Sequence, residues 1–192
     1  MSSKKKSHKS LKALSRKMAS EDELFSNLLD LLEHENPIAD RAAALVVSSL
    51  IEQGLERLLD SHFVPLLPQE YDEIFGGLGI LASTAAKIRL GYAMNLYELE
   101  VREDLDTVRL IRNAFAHAQE PISFETEEIA TMCKHLKTRA SFEDFVRAKH
   151  PLTSRRVYGL CVFGLCELLA AASKPMNVDE AVAELKRRHG SP

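Results

Sequence analysis

The feature that most constrains the fold is the segment 38–61. It repeats apolar residues at helical spacing for about six turns with no proline inside it. Ala42, Leu45, Val46, Leu50, Leu55, Leu58 and Leu59 give this stretch a broad apolar face, which a water-soluble chain must cover with other elements. The rest of the sequence offers helices to do so. The same period runs through 24–36, 80–96, 101–118, 126–137, 142–149, 153–173 and 178–189, and no period-two pattern exceeds four residues. Eight glycines and seven prolines are too few for an all-β protein of 192 residues, and 45% hydrophobic residues suffice for a real core. The expected fold is all-α, an up-and-down helical bundle with short additional helices.

Local signals set the boundaries. Ser20 followed by Glu23 makes a capping box, and Asn36-Pro37 breaks the first helix. Pro65 and Pro68 punctuate a connection, and Pro121 closes the helix over 101–118. Ser123 and Ser141 are candidate caps, and Asn177-Val178-Asp179-Glu180 starts the final helix. Gly76-Gly77-Leu78-Gly79 lacks the lysine and preceding strand of a phosphate loop, so it reads as a helix end followed by a tight turn.

Charge divides the chain in two. Residues 1–18 carry Lys4, Lys5, Lys6, Lys9, Lys12, Arg16 and Lys17 without an acid, a charge of +7, while the remainder holds 18 bases and 28 acids, a charge of −10. The expected organisation is a basic, disordered leader over 1–19 and a single helical domain over 20–190. An acidic body repels phosphate and argues against a surface that reads DNA; the leader can add only salt-sensitive affinity for nucleic acid.

Several function classes fall away. Cys133, Cys161 and Cys166 form no Cys-x-x-Cys pair and read as buried free thiols of a reducing compartment. His34, His62, His135 and His150 are scattered, and neither a metal site nor a cofactor site is expected. The basic start has no apolar stretch after it, and the longest apolar run, 157–172, contains Glu167 and is too short to span a bilayer. A cytoplasmic location without membrane attachment follows.

The chemistry-bearing segment is Arg112-Asn113-Ala114-Phe115-Ala116-His117. On a helical wheel Val101, Leu105, Val108, Ile111 and Phe115 form one core stripe, and Arg112 falls inside it. Asn113 and His117 share another face, four residues apart, where the amide can hydrogen-bond the imidazole. A guanidinium on an apolar stripe must pair with an acid or line a water-filled cleft. Asp40, Glu52 and Glu56 are candidate partners for a strut, and His117 then reads as a helix C-terminal histidine. The spacing itself is weak, since chance predicts on the order of 0.5 such pairs and Arg57 to His62 is a second one.

Four ordered motifs carry a resemblance. Asp40-Arg41-Ala42-Ala43-Ala44-Leu45, Ile74-Phe75-Gly76-Gly77-Leu78-Gly79, Lys87-Ile88-Arg89-Leu90-Gly91-Tyr92-Ala93 and Ile111-Arg112-Asn113-Ala114-Phe115-Ala116-His117 together resemble the mannitol operon repressor family, over roughly residues 20–150. The resemblance implies a small cytosolic all-helical transcriptional regulator without a recognisable DNA-binding module. It is expected to be homodimeric and to act through protein partners, without direct sequence-specific DNA binding. The basic leader and the additional C-terminal helix depart from the family pattern. More distantly, Arg-Asn-x-x-x-His is similar to the signature of the HEPN superfamily of helical domains. This alternative implies a metal-independent ribonuclease or a non-catalytic relative of one. Arg112, Asn113 and His117 would be its catalytic residues and RNA its substrate. The non-enzymatic regulator is the leading expectation, and whether the chain is an enzyme is left open by this alternative.

Overall fold

The computed structural model describes residues 37–141 and 152–174, with Asp179, Val182, Ala183, Lys186 and Arg187 in helical conformation beyond them. The basic leader, the helix expected over 24–36 and the one expected over 142–149 lie outside the described residues. Among the described residues there is no strand, and the fold is all-α as the sequence predicts.

Helix α1 (Pro37–Asp60) is the central element, packed against α6 (Ser154–Ala172), α4 (Leu99–His117) and α3 (Thr84–Ala93). Its buried stripe is Ala43, Ala44, Val47, Ile51, Leu55, Leu58 and Leu59. Ala42 is exposed and Val46 is half exposed, so the upper half of the face is rotated by about one residue from the expected one. Three consecutive alanines do not fix the phase of a stripe, and the neighbouring helices choose it.

The connection marked by Pro65 and Pro68 contains a helix the periodicity did not show. Pro68 opens α2 (Pro68–Phe75) at a position where its missing N–H costs nothing, and Glu70 Oε2 accepts the Leu67 N–H at 2.8 Å. The glycine cluster then ends that helix and turns, as expected. Leu81 N–H donates to Ile74 O at 2.9 Å across the turn, and a Cβ on Gly79 would sit 2.3 Å from that same oxygen. Phe75, Leu81 and Leu59 form a small second core, with Tyr71 and Phe63 rings 4.8 and 5.9 Å from Phe75.

The helix expected over 80–96 is shorter. Ser83 Oγ accepts from Ala86 N at 3.2 Å and caps α3, and Asn95 adopts a left-handed φ of 56° to turn the chain into α4. Tyr97 folds back over this turn and its hydroxyl donates to Ile88 O at 2.7 Å. A Cβ on Gly91 would meet that hydroxyl at 2.6 Å, so the glycine in the third motif makes room for a tyrosine.

Thr126, not Ser123, holds the N-cap position of helix α5 (Glu127–Lys134) without a side-chain cap bond; its Oγ1 accepts from Ser123 N at 3.0 Å, and Ser123 Oγ accepts from Glu125 N at 3.2 Å. A 3₁₀ turn over Thr138–Ser141 follows, and Thr153 Oγ1 caps α6 by accepting from Arg156 N at 3.3 Å. Leu105, Val108, Ile111 and Phe115 on α4 enter the main core, where the tilted rings of Phe115, Phe124 and Tyr158 follow one another at centroid distances of 4.9 and 5.1 Å. Cys133 and Cys161 are buried free thiols and Cys166 is partly buried. No described helix is long and apolar enough to cross a membrane.

Candidate functional site

Buried charge comes first, because it decides what is left for function. Arg155 on α6 lies fully inside and places Nη1 2.9 Å from Asp40 Oδ1, while Asp40 Oδ2 accepts the Phe124 N–H at 3.1 Å. Lys87 on α3 is equally buried and donates to Glu52 at 3.3 Å and Glu56 at 2.7 Å. Tyr71 donates to the other oxygen of Glu56. Asp104 accepts from Lys137 N at 3.0 Å and from the Thr138 N–H and hydroxyl, which fixes the 3₁₀ turn against α4. Arg41 Nη2 donates to Ala118 O at 2.6 Å and closes the C-terminal end of α4.

The candidate strut acids therefore do hold buried bases, but those bases are Lys87 and Arg155. Arg112 is exposed, contrary to its place on the wheel. The reason is the length of its neighbour. Helix α3 has 10 residues and α4 has 19, so the hairpin partner ends after about 15 Å of a helix about 28 Å long. The first half of α4 is covered on that side; beyond Arg109 its flank is open. The polar residue that does occupy the core stripe is Asp104.

The uncovered flank forms a groove of about 330 Å³ between α1, the start of α3 and α4. Ile51, Leu105 and Val108 make its apolar floor. Arg109, Arg112 and Asn113 form one wall, Ser48, Ser49 and Glu52 the other, and Ser83 and Thr84 stand at the end where α3 begins. Arg109 is tied to Asp106 at 3.0 Å, whereas Arg112 Nη1 donates to the neutral Asn113 amide at 3.3 Å. Burial raises the Tyr158 hydroxyl pKa, with Cys133 adding to the rise, while a hydrogen bond with Ser48 and the Arg112 charge act in the opposite direction.

Of the three residues singled out in the sequence, Arg112 and Asn113 share this groove. His117 is exposed at the last residue of α4 and is not part of the lining. Asn113 Oδ1 accepts from Arg112, and no Asn113–His117 hydrogen bond is formed among the described residues. Ser48, Ser49, Glu52, Ser83 and Thr84 were not singled out as lining residues. Nothing in their local sequence marks them, since the groove exists only where three non-adjacent helices meet. His62 and His135 bond helical carbonyls four residues back, at 2.9 and 2.7 Å. Among the described residues no group of three His, Cys, Asp or Glu side chains could hold a metal ion.

The motif pairing α2, the glycine turn and α3 superficially suggests a DNA-reading unit. The connection from Gly76 to Ser83 is long, Lys87 is buried, and Arg89 is the one exposed base that α3 offers. The class that fold and groove define is an all-α helical domain with a polar, partly cationic groove and no exposed basic recognition helix among the described residues.

No family model matches the chain, and no curated protein matches it. Among solved structures it is similar to a chain in the X-ray structure of the MtlR–HPr complex from Escherichia coli, with a TM-score of 0.55 and 16% identity. The superposition covers 78% of this chain and 98% of that one, so the likeness extends through nearly the whole neighbour. At this identity it is a likeness of fold, a distant MtlR-like one.

Proposed function

We propose that this protein is a cytosolic transcriptional regulator of the mannitol operon repressor type, acting through protein partners without reading DNA bases itself. The observation that carries this reading is the shared fold with a protein whose solved structure is a complex with another protein, HPr. The acidic balance of residues 19–192, at −10, supports it, because a DNA-reading surface needs local positive charge to release counterions. A homodimer is part of the proposal. Titration calorimetry of the full chain against HPr, beside a gel-shift series with promoter fragments at physiological salt, tests it. A saturable protein complex with weak, sequence-indifferent DNA binding is expected. A tight, sequence-selective DNA complex formed without a protein partner overturns it.

The exposure of Arg112 favours keeping one second reading, a metal-independent ribonuclease of the HEPN kind. There Arg112 would stabilise charge on the phosphoryl oxygens while His117 moves the proton of the attacking ribose 2′-OH. His117 stands outside the groove, so a second copy of the chain would have to complete the site. RNA cleavage in EDTA that disappears in His117→Ala supports this reading; no cleavage by the wild type removes it.

A further inference from the structure

The groove is unequal along its length. α1 and α4 are antiparallel, because Arg41 near the start of α1 bonds Ala118 at the end of α4. Arg112 and Asn113 therefore stand at one end and Glu52 at the other, beside the first residues of α3. Ser49 lies between them over the apolar floor, whereas the buried Ser48 gives its hydroxyl to Leu45 O and to Tyr158.

The arginine end presents a guanidinium whose partner here is a neutral amide, with Arg109 next to it in the wall. A guanidinium fork matches the paired oxygens of a carboxylate or phosphate, and an exchangeable amide partner leaves that fork open to a ligand. The opposite end presents Glu52, whose side chain remains 43% exposed although it also accepts from Lys87. A carboxylate is an acceptor only, so what it recognises must be a donor, such as a ligand hydroxyl. Ser49 already donates to Val46 O at 2.6 Å and so offers its oxygen chiefly as a further acceptor for a hydroxyl donor. A volume near 330 Å³ is at the small end of ligand sites and suits a molecule of few carbons.

We propose that the groove between α1, α3 and α4 binds a small hydroxylated anion, with its anionic group at Arg112 and Asn113 and its hydroxyls toward Ser49 and Glu52. The shared chemistry is an oxyanion joined to a short hydroxylated chain, and either a phosphomonoester or a hydroxy acid supplies it. This site is separate from the protein-partner reading: loss of HPr binding does not touch it, and its own failure leaves that reading intact.

The test is titration calorimetry on the full chain with sn-glycerol 3-phosphate, glycerate, glycerol and inorganic phosphate as four separate probes. The two ends cooperate only on a ligand that has both groups. Glycerol 3-phosphate or glycerate is expected to bind at least about tenfold more tightly than glycerol or phosphate. The better of the two identifies the anion. Arg112→Ala is expected to remove about tenfold or more of that affinity, and Glu52→Gln to weaken the hydroxylated probes while leaving phosphate unchanged. Glu56 remains on Lys87 at 2.7 Å in the second variant, which keeps the fold. A circular dichroism melt of each variant separates unfolding from loss of binding, and Ser49→Ala, an exposed hydroxyl, serves as a third lever should either variant melt early. No binding of any probe at millimolar concentration overturns the proposal. So does binding that all three variants leave unchanged, or phosphate binding as tight as that of the hydroxylated anions.

Discussion

Two regions of this molecule use the same residue types in opposite ways. In the interior, Arg155 meets Asp40 and Lys87 meets Glu52 and Glu56, each base almost wholly withdrawn from water and held by a carboxylate on a different helix. In the groove, Arg112 is exposed and rests on a neutral amide one residue away. Desolvating a charge is costly unless its partners are fixed, so the interior bases act as cross-links that pin α3 and α6 to α1. A base left exposed beside a cavity carries no such cost and stays available to a ligand. The difference lies in the neighbours: α3 and α6 bring their bases to acids of α1, while the half of α4 carrying Arg112 outlasts the helix beside it.

The largest expected effect breaks the interior side of this comparison. Asp40→Ala leaves the Arg155 guanidinium buried without its carboxylate and the Phe124 N–H without its acceptor. A loss of about 3–5 kcal/mol of stability is expected in urea denaturation, and Asp40→Ala combined with Arg155→Met should recover much of it. A single variant that loses less than about 1 kcal/mol would show that the pair is solvated and that the contrast with Arg112 is one of degree.

A smaller effect comes from the thiols that share the interior. Burial pushes Cys133 and Cys161 up to about 12, with neighbouring acids adding to the rise. Unfolded thiols ionise near about 8.5, so between that pH and about 12 the folded state keeps protons the unfolded state has released. Stability is therefore unaffected by these groups below about pH 8.5 and falls above it, by about 1.4 kcal/mol per buried thiol for each pH unit. Urea midpoints followed from neutral to alkaline pH check the sign, and replacing both cysteines by alanine should flatten the slope. An unchanged slope would mean that other groups, such as the buried Tyr158, dominate the alkaline limb.

The same contrast explains what the sequence made legible. The helices of the described region are there because apolar periodicity, caps and breakers are local, and the glycine turn is there because Gly79 alone fits against Ile74 O. Helix α2 escaped notice because a proline that opens a helix looks like a proline that prevents one. Asp40, Glu52 and Glu56 were identifiable as acids on α1 facing a base, yet Lys87 and Arg155 lie 31 and 115 residues from Glu56 and Asp40, and no local pattern pairs them. The wheel placed Arg112 correctly in angle and wrongly in burial, because a wheel knows the direction of a side chain and not whether a neighbouring helix reaches that far. Within the groove, Arg112 and Asn113 of the α4 wall and Glu52 of the α1 wall were legible, and Arg109, the serines and Thr84 were not.

The smallest expected effect is the sharpest test of the comparison. Arg112→Ala removes an exposed side chain whose hydrogen bond is to its own sequence neighbour, so denaturation should shift by no more than about 0.5 kcal/mol. The alanine also raises helix propensity slightly at that position, which works in the same direction as neutrality. Lys87→Ala, a truncation of the same kind on the facing helix, strands Glu52 and Glu56 without their shared cation and should cost several times more. The two variants measured side by side in urea separate the roles. If Arg112→Ala costs as much as Lys87→Ala, the arginine is a strut after all, and the groove it lines is a gap between helices and no longer a site.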